Sequence, residues 1–161
     1  MEMGFDKEKF DAVWRRVTLC KTVDKPRPVT DAEADVLRSL IDAMARDTCH
    51  CRALAARYPR RIGATLCRMV RDNCRISKQL CAMYFIVTGG TYRPDVTCEP
   101  PSKVSDGLRA VYSGTVGVAA SLTGAAETTA RPDFNGTYSE AAELKYHHAA
   151  LVGRMIEDFV R

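Results

Sequence analysis

The chain has no apolar run long enough to span a bilayer, so no membrane association is expected. Its opening residues, MEMGFDKEKFDAVW, are charged and lack the apolar core of a secretory leader. The expected compartment is therefore the cytoplasm. There is no C-x-x-C pair among the seven cysteines, and an odd count without a leader argues against a complete disulfide framework. Acid is nearly missing between Thr48 and Pro94, where Asp72 alone faces Arg52, Arg57, Arg60, Arg61, Arg68, Arg71, Arg75, Lys78 and Arg93. Whatever face this segment exposes is basic. The net charge of +4 is modest and there is no basic tail, so a nucleic-acid partner is not expected.

What is present is enough for one domain with a sizeable core. At 161 residues, 46% hydrophobic and 27% charged, the composition is that of an ordinary globular protein. Apolar residues recur at helical rather than strand spacing throughout. Leu66, Met69, Asn73, Ile76, Leu80, Met83 and Val87 follow one another at steps of three and four, the inward stripe of a long bundle helix. Asn73 is the one polar position on it. That helix is predicted from about Ile62 to Val87, with Gly89-Gly90 as its stop.

Four further helices are predicted. A short amphipathic segment over Asp6 to Val17 carries Phe10, Val13, Trp14 and Val17 on one face, and a linker with Pro26 and Pro28 follows it. The next helix opens at Thr30, where Thr30-Asp-Ala-Glu33 matches a capping box. Its stripe runs through Leu37, Leu40/Ile41, Met44, Thr48, Cys51, Leu54/Ala55 and Tyr58, and Pro59 ends it. After the Leu66 helix, a loop with Pro94, Pro100 and Pro101 shows no periodicity. Extended, it would reach on the order of 50 Å, enough to cross a bundle end to end. A helix from Val104 to Glu127 follows, with Leu108, Val111/Tyr112, Val116, Ala119 and Leu122 inward. Its Gly107, Gly114, Gly117 and Gly124 suggest close helix approach. Phe134-Asn-Gly136 reads as a turn, and Thr137-Tyr-Ser-Glu140 as a second capping box opening the last helix. The expected organisation is an N-terminal helical arm with its linker over 1–29, then an all-α four-helix bundle over 30–161. Short, long, short connections give an up-down-down-up order with one crossover.

Several local sequences resemble the ferritin-like superfamily, and most closely its short rubrerythrin-like bacterial members. They are Arg52-Ala-Leu-Ala55, Tyr84-Phe-Ile-Val-Thr-Gly89 and the N-terminal Phe10-Asp-Ala-Val-Trp-Arg-Arg16. The resemblance implies a ferritin-like bundle. It also implies a di-iron centre held by a Glu from each of two helices and a Glu-x-x-His pair from each of the other two. The positions matching those ligands hold the wrong residues. The first Glu falls at Met44, and the first pair at Asn73 and Ile76. The Val104 helix has no carboxylate between Leu108 and Ala126. The last helix gives Leu144 and His147 or, shifted by one, Lys145 and His148. Apolar Met44, Ile76 and Leu144 would fill the space of the cluster, and losing carboxylates together with metal leaves no unpaired buried charge. No cofactor is then expected, or iron if the ligands lie elsewhere.

Three other groupings carry chemistry. Cys67, Cys74 and Cys81 share a stripe, but residues seven apart on a helix are about 10.5 Å apart and cannot share one ion. Glu143, His147 and His148 are the candidates for a metal clip, with Cys49, His50 and Cys51 as a soft-metal alternative. Arg57, Arg60, Arg61 and Arg68 are the candidates for anion binding. Asn135-Gly-Thr137 fits a glycosylation sequon but reads as a turn. The leading functional expectation is a non-catalytic, structural or interaction protein acting as a homodimer. The alternatives are an iron-dependent peroxidase or oxidase, and a binding module for an anion or soft metal.

Overall fold

The structure, a computed structural model, describes residues 31–99 and 101–160. The N-terminal segment with Phe10, Trp14 and Cys20, and the Thr30 end of the first capping box, lie outside the described residues. Within them the chain is helical and contains no strand: α1 Asp31–Arg57, a π-helical turn Pro59–Gly63, α2 Ala64–Thr88, α3 Val104–Thr128 and α4 Pro132–Val160.

Contacts between the helices fix their directions. Glu33, near the start of α1, accepts a hydrogen bond from Thr129 just past α3, while Arg57 at the end of α1 donates to the carbonyl of Ser102 just before α3. The two helices are therefore antiparallel. Arg38 of α1 donates to Tyr84 near the end of α2, so that pair is antiparallel too. Phe134 and Tyr138 of α4 share one apolar cluster with Ala34 and Leu37 of α1, and Val152 shares the other with Cys51 and Leu54, so α4 runs with α1. Residues 89–103 run back along α1 from one end of the bundle to the other. Tyr92 donates to Asp42 at 2.9 Å, Cys98 is disulfide-bonded to Cys49, and Ser102 meets Arg57. The predicted crossover is thus laid against α1 and tethered at three levels.

Both predicted stripes of the first hairpin face inward. Leu37, Leu40, Ile41, Met44, Cys51 and Leu54 of α1 are buried, as are Leu66, Met69, Ile76, Leu80, Met83 and Val87 of α2. Gly89 closes α2 in the left-handed region, at φ 72°, and its N–H reaches the carbonyl of Phe85 at 2.8 Å. A side chain there would be strained, which is why the helix stops at a glycine.

Three expectations change. In α3, Tyr112 is exposed and Val116 half-buried, and Thr115 and Val118 face inward instead. The last helix begins at Pro132, and Asn135-Gly136 lies inside it rather than in a turn. Proline suits a first helical turn because its missing N–H would have had no partner. Asn135 Nδ2 donates to the carbonyl of Ala126 at 2.6 Å and joins α4 to the end of α3. The glycines of α3 also divide. A Cβ on Gly107 would lie 2.6 Å from Leu54 Cδ1 and from Pro101 Cγ, a true close approach. Gly117 and Gly124 have nothing within 4 Å of that position.

The core falls into two apolar bodies. One gathers Leu37, Met44, Ile76, Leu80, Val118, Leu122 and Phe134 at the Gly89 end. The other gathers Cys51, Leu54, Leu66, Met69, Leu108, Val111 and Val152 at the Pro59 end. What separates them is polar.

Candidate functional site: a polar layer across the bundle

Each helix contributes one buried polar residue to that division. Asp47 of α1 lies between Met44 and Cys51, Asn73 of α2 between Met69 and Ile76, and Thr115 of α3 between Val111 and Val118. Lys145 of α4 lies between Ala141 and Val152. Lys145, Asn73 and Thr115 have no exposed area, and Asp47 has 2%. Such burial is unusual for an ammonium and a carboxylate, and only mutual pairing with further hydrogen bonds makes it tolerable.

The four side chains pair with one another. Lys145 Nζ donates to Asp47 Oδ2 at 2.6 Å and to Asn73 Oδ1 at 3.0 Å. Asn73 Nδ2 donates to the same Asp47 Oδ2 at 2.7 Å. Thr115 Oγ1 donates to the other carboxylate oxygen, Oδ1, at 2.9 Å. Asp47 is the hub: all three other helices bond to it. Thr48 beside it returns its hydroxyl to the carbonyl of Met44 and takes no part. Two surface hollows, one flanked by Asn135 and Tyr146 and the other by Glu33 and Tyr138, have no layer residue in their walls.

His148, one turn beyond Lys145, is 2% exposed, and its Nε2 lies 3.1 Å from Asp72 Oδ2. Its Nδ1 has no hydrogen-bond partner among the described residues. Burial, aided by the charge on Lys145, holds this imidazole below the usual histidine range, although the contact with Asp72 pulls the other way. Cys51, one turn past Asp47, has its thiol pushed up to about 12, chiefly by burial and then by Asp47. It is an inert thiol at neutral pH.

The residues singled out from the sequence take definite places. Met44 and Ile76 point into the core beside the layer, and Asn73 is part of it. The inward pair of the last helix is Lys145 and His148, not Leu144 and His147: Leu144 is half-buried and His147 exposed. Adjacent helical residues point about 100° apart, so a one-residue shift exchanges the faces. For the same reason Glu143, His147 and His148 do not form a clip, since the first two face solvent and His148 faces in. Cys49 is taken up in the disulfide with Cys98, Cα atoms 6.1 Å apart, which removes it from a soft-metal set with His50 and buried Cys51. Cys67 is exposed while Cys74 and Cys81 are half-buried.

The anion candidates Arg57, Arg60, Arg61 and Arg68 are all exposed at or near the Pro59 end. Arg57 donates to Ser102, and Arg61 lies over the Phe159 ring with its guanidinium carbon 4.3 Å from the ring centre. None of the four makes an ion pair among the described residues.

No family model, no curated protein and no solved structure matches the chain.

The polar layer therefore has to be read from its own chemistry. A di-iron centre needs several hard carboxylates and open positions between them. The layer offers one carboxylate, already engaged by three donors, and places an ammonium beside it. A cation-binding site would not carry its own fixed cation, so this donor set does not fit two irons. Asp47 and Thr115 were not singled out from the sequence, and Lys145 only as one of two registers. The usable signal was a carboxylate on the face of Met44 and Cys51 and a lysine on the face of Ala141, Ala142 and Val152. Opposite charges on two inward stripes pair or do not fold.

Proposed function

We propose that this chain is a divergent ferritin-like bundle of rubrerythrin-like type that has exchanged its metal centre for an internal ion pair. It then has a structural or interaction role rather than a catalytic one. The observation that carries the reading is the ammonium of Lys145, bonded to Asp47 and Asn73 at the level where relatives would hold metal. What supports the kinship is the antiparallel order of the helices, the single crossover and the local sequences quoted above. The homodimer belongs to this reading. Adjacent Phe85 and Ile86, 55% and 58% exposed at the end of α2, supply apolar surface for such a contact.

The test is the iron content of protein purified after growth with added iron. The expected result is no stoichiometric iron. About two irons per chain would restore the peroxidase or oxidase alternative.

A second reading, an anion-binding module, is favoured by the exposed arginines of the Pro59 end and the outer side of α2. Arg60, Arg61, Arg68, Arg71 and Arg75 are exposed and make no ion pair among the described residues. Binding to a polyanion that weakens steeply with salt would support it, and a flat or absent response would exclude it.

A further inference from the structure

Three groups of the polar layer stand in a relation that a structural ion pair does not require. The Lys145 amine nitrogen is 3.0 Å from the carbonyl oxygen of the Asn73 amide. One carboxylate oxygen, Asp47 Oδ2, lies 2.6 Å from that amine and 2.7 Å from the nitrogen of the same amide. A single proton carrier thus touches both the nitrogen that would attack and the nitrogen that would leave. Its other oxygen is held by Thr115, which fixes the carboxylate plane. All four side chains are shut off from solvent, so water does not compete as nucleophile.

The geometry points to an intramolecular isopeptide bond between Lys145 and Asn73, formed by the chain itself with Asp47 as the proton carrier. The inference goes beyond the metal-free reading but shares its site. Asp47 takes a proton from the Lys145 ammonium, and the freed amine attacks Asn73 Cγ. Asp47 passes the proton to Nδ2, the Cγ–Nδ2 bond breaks, and ammonia leaves. Asp47 then takes a second proton from the new amide nitrogen. Ammonium, carboxylate and primary amide become a secondary amide, a neutral carboxylic acid and ammonia, with atoms and charge conserved and no outside reactant. Two forces favour the step. The folded core holds the reactants together, so that attack is effectively unimolecular. The product also removes both charges from a layer where charge is expensive to keep.

The full chain, purified, reduced and denatured, is weighed by mass spectrometry. The expected mass is lower than that of the sequence by one ammonia, about 17 Da. Tryptic digestion should yield the peptide bearing Asn73 joined to the one bearing Lys145, with no cleavage after Lys145. Lys145→Met and Asp47→Ala should return the mass to that of their sequences. Because the mass is read on denatured chains, the wild-type result decides even if a variant folds poorly. A wild-type chain at full mass overturns the proposal. So does an ammonia loss that maps to a cyclic imide at Asn135-Gly136. Iron content is measured separately, so failure of the bond and failure of the metal-free reading are distinct outcomes.

Discussion

Lys145 and Asp47 are 98 positions apart in the chain and meet at 2.6 Å, with side chains 0% and 1% exposed. In the unlinked chain, where Lys145 is still an ammonium, removing the lysine would leave Asp47 buried with only amide and hydroxyl donors. Breaking such a pair from one side typically costs about 3–5 kcal/mol. Lys145→Met should therefore lose about that much in urea or thermal unfolding. A loss below about 1 kcal/mol would mean that the ammonium does not sit in the core.

The imidazole of His148 makes stability depend on pH in a definite direction. Its affinity for protons is lower in the fold than in the unfolded chain, so unfolding takes up a proton once the pH falls to the ordinary histidine range. Stability contributed by the neutral ring is full above that range. It declines as pH drops from about 6.5 toward the depressed folded value, with the slope set by proton uptake. Unfolding midpoints measured from pH 8 to pH 5 should fall in the lower part of that range, and His148→Gln should flatten the decline. An equal slope in the variant would assign the effect elsewhere.

Two glycines of α3 should respond in opposite ways to the same substitution. Gly107→Ala drives a methyl into Leu54 and Pro101 and should destabilise by about 1–3 kcal/mol. Gly117→Ala enters open space in a helix and should stabilise by up to about 1 kcal/mol. Thermal denaturation of the two variants side by side checks the packing of α3 against α1 and the crossover as well as the helix itself.

The Cys49–Cys98 bond closes a loop with a sequence separation of 49. Disulfides typically contribute about 2–4 kcal/mol, and loop-closure entropy puts a ring of this size near the upper end. Cys98→Ser should lower stability within that range and make the crossover more sensitive to protease. The helices should persist by circular dichroism, because the two apolar bodies of the core do not depend on the bond.

The first hairpin and the crossover were legible because their signals are local and additive. Leu37 through Leu54 and Leu66 through Val87 repeat cleanly, and Gly89 and Pro59 stop helices for steric reasons. The last helix was harder. It has two apolar rows, one through Leu144 and Leu151 and the other through Ala142, Ala149 and Val152, and a lysine counts against any row that contains it. Lys145 thus hid the row that is buried. Asp47 was hidden the same way on α1. The polar layer was illegible because its partners are far apart in sequence: a buried charge is recognisable only when its counterpart is known to face it. The start of α4 was missed for a different reason. Asn135-Gly136 is a strong turn signal in isolation, and it was overruled by Pro132 together with the side-chain bond from Asn135 to α3.

The crossover has a consequence for how the molecule bears load. Cys49 and Cys98 short-circuit residues 50–97, and all of α2 lies inside that ring. Tension applied to the two ends of the chain would pass from α1 through the sulfur bridge into the crossover and on to α3. The sulfur bridge taken alone bypasses α2. While the bridge is intact, that helix cannot be drawn out end to end, however hard the chain is pulled. Reduction of one bond would put it back in the line of force.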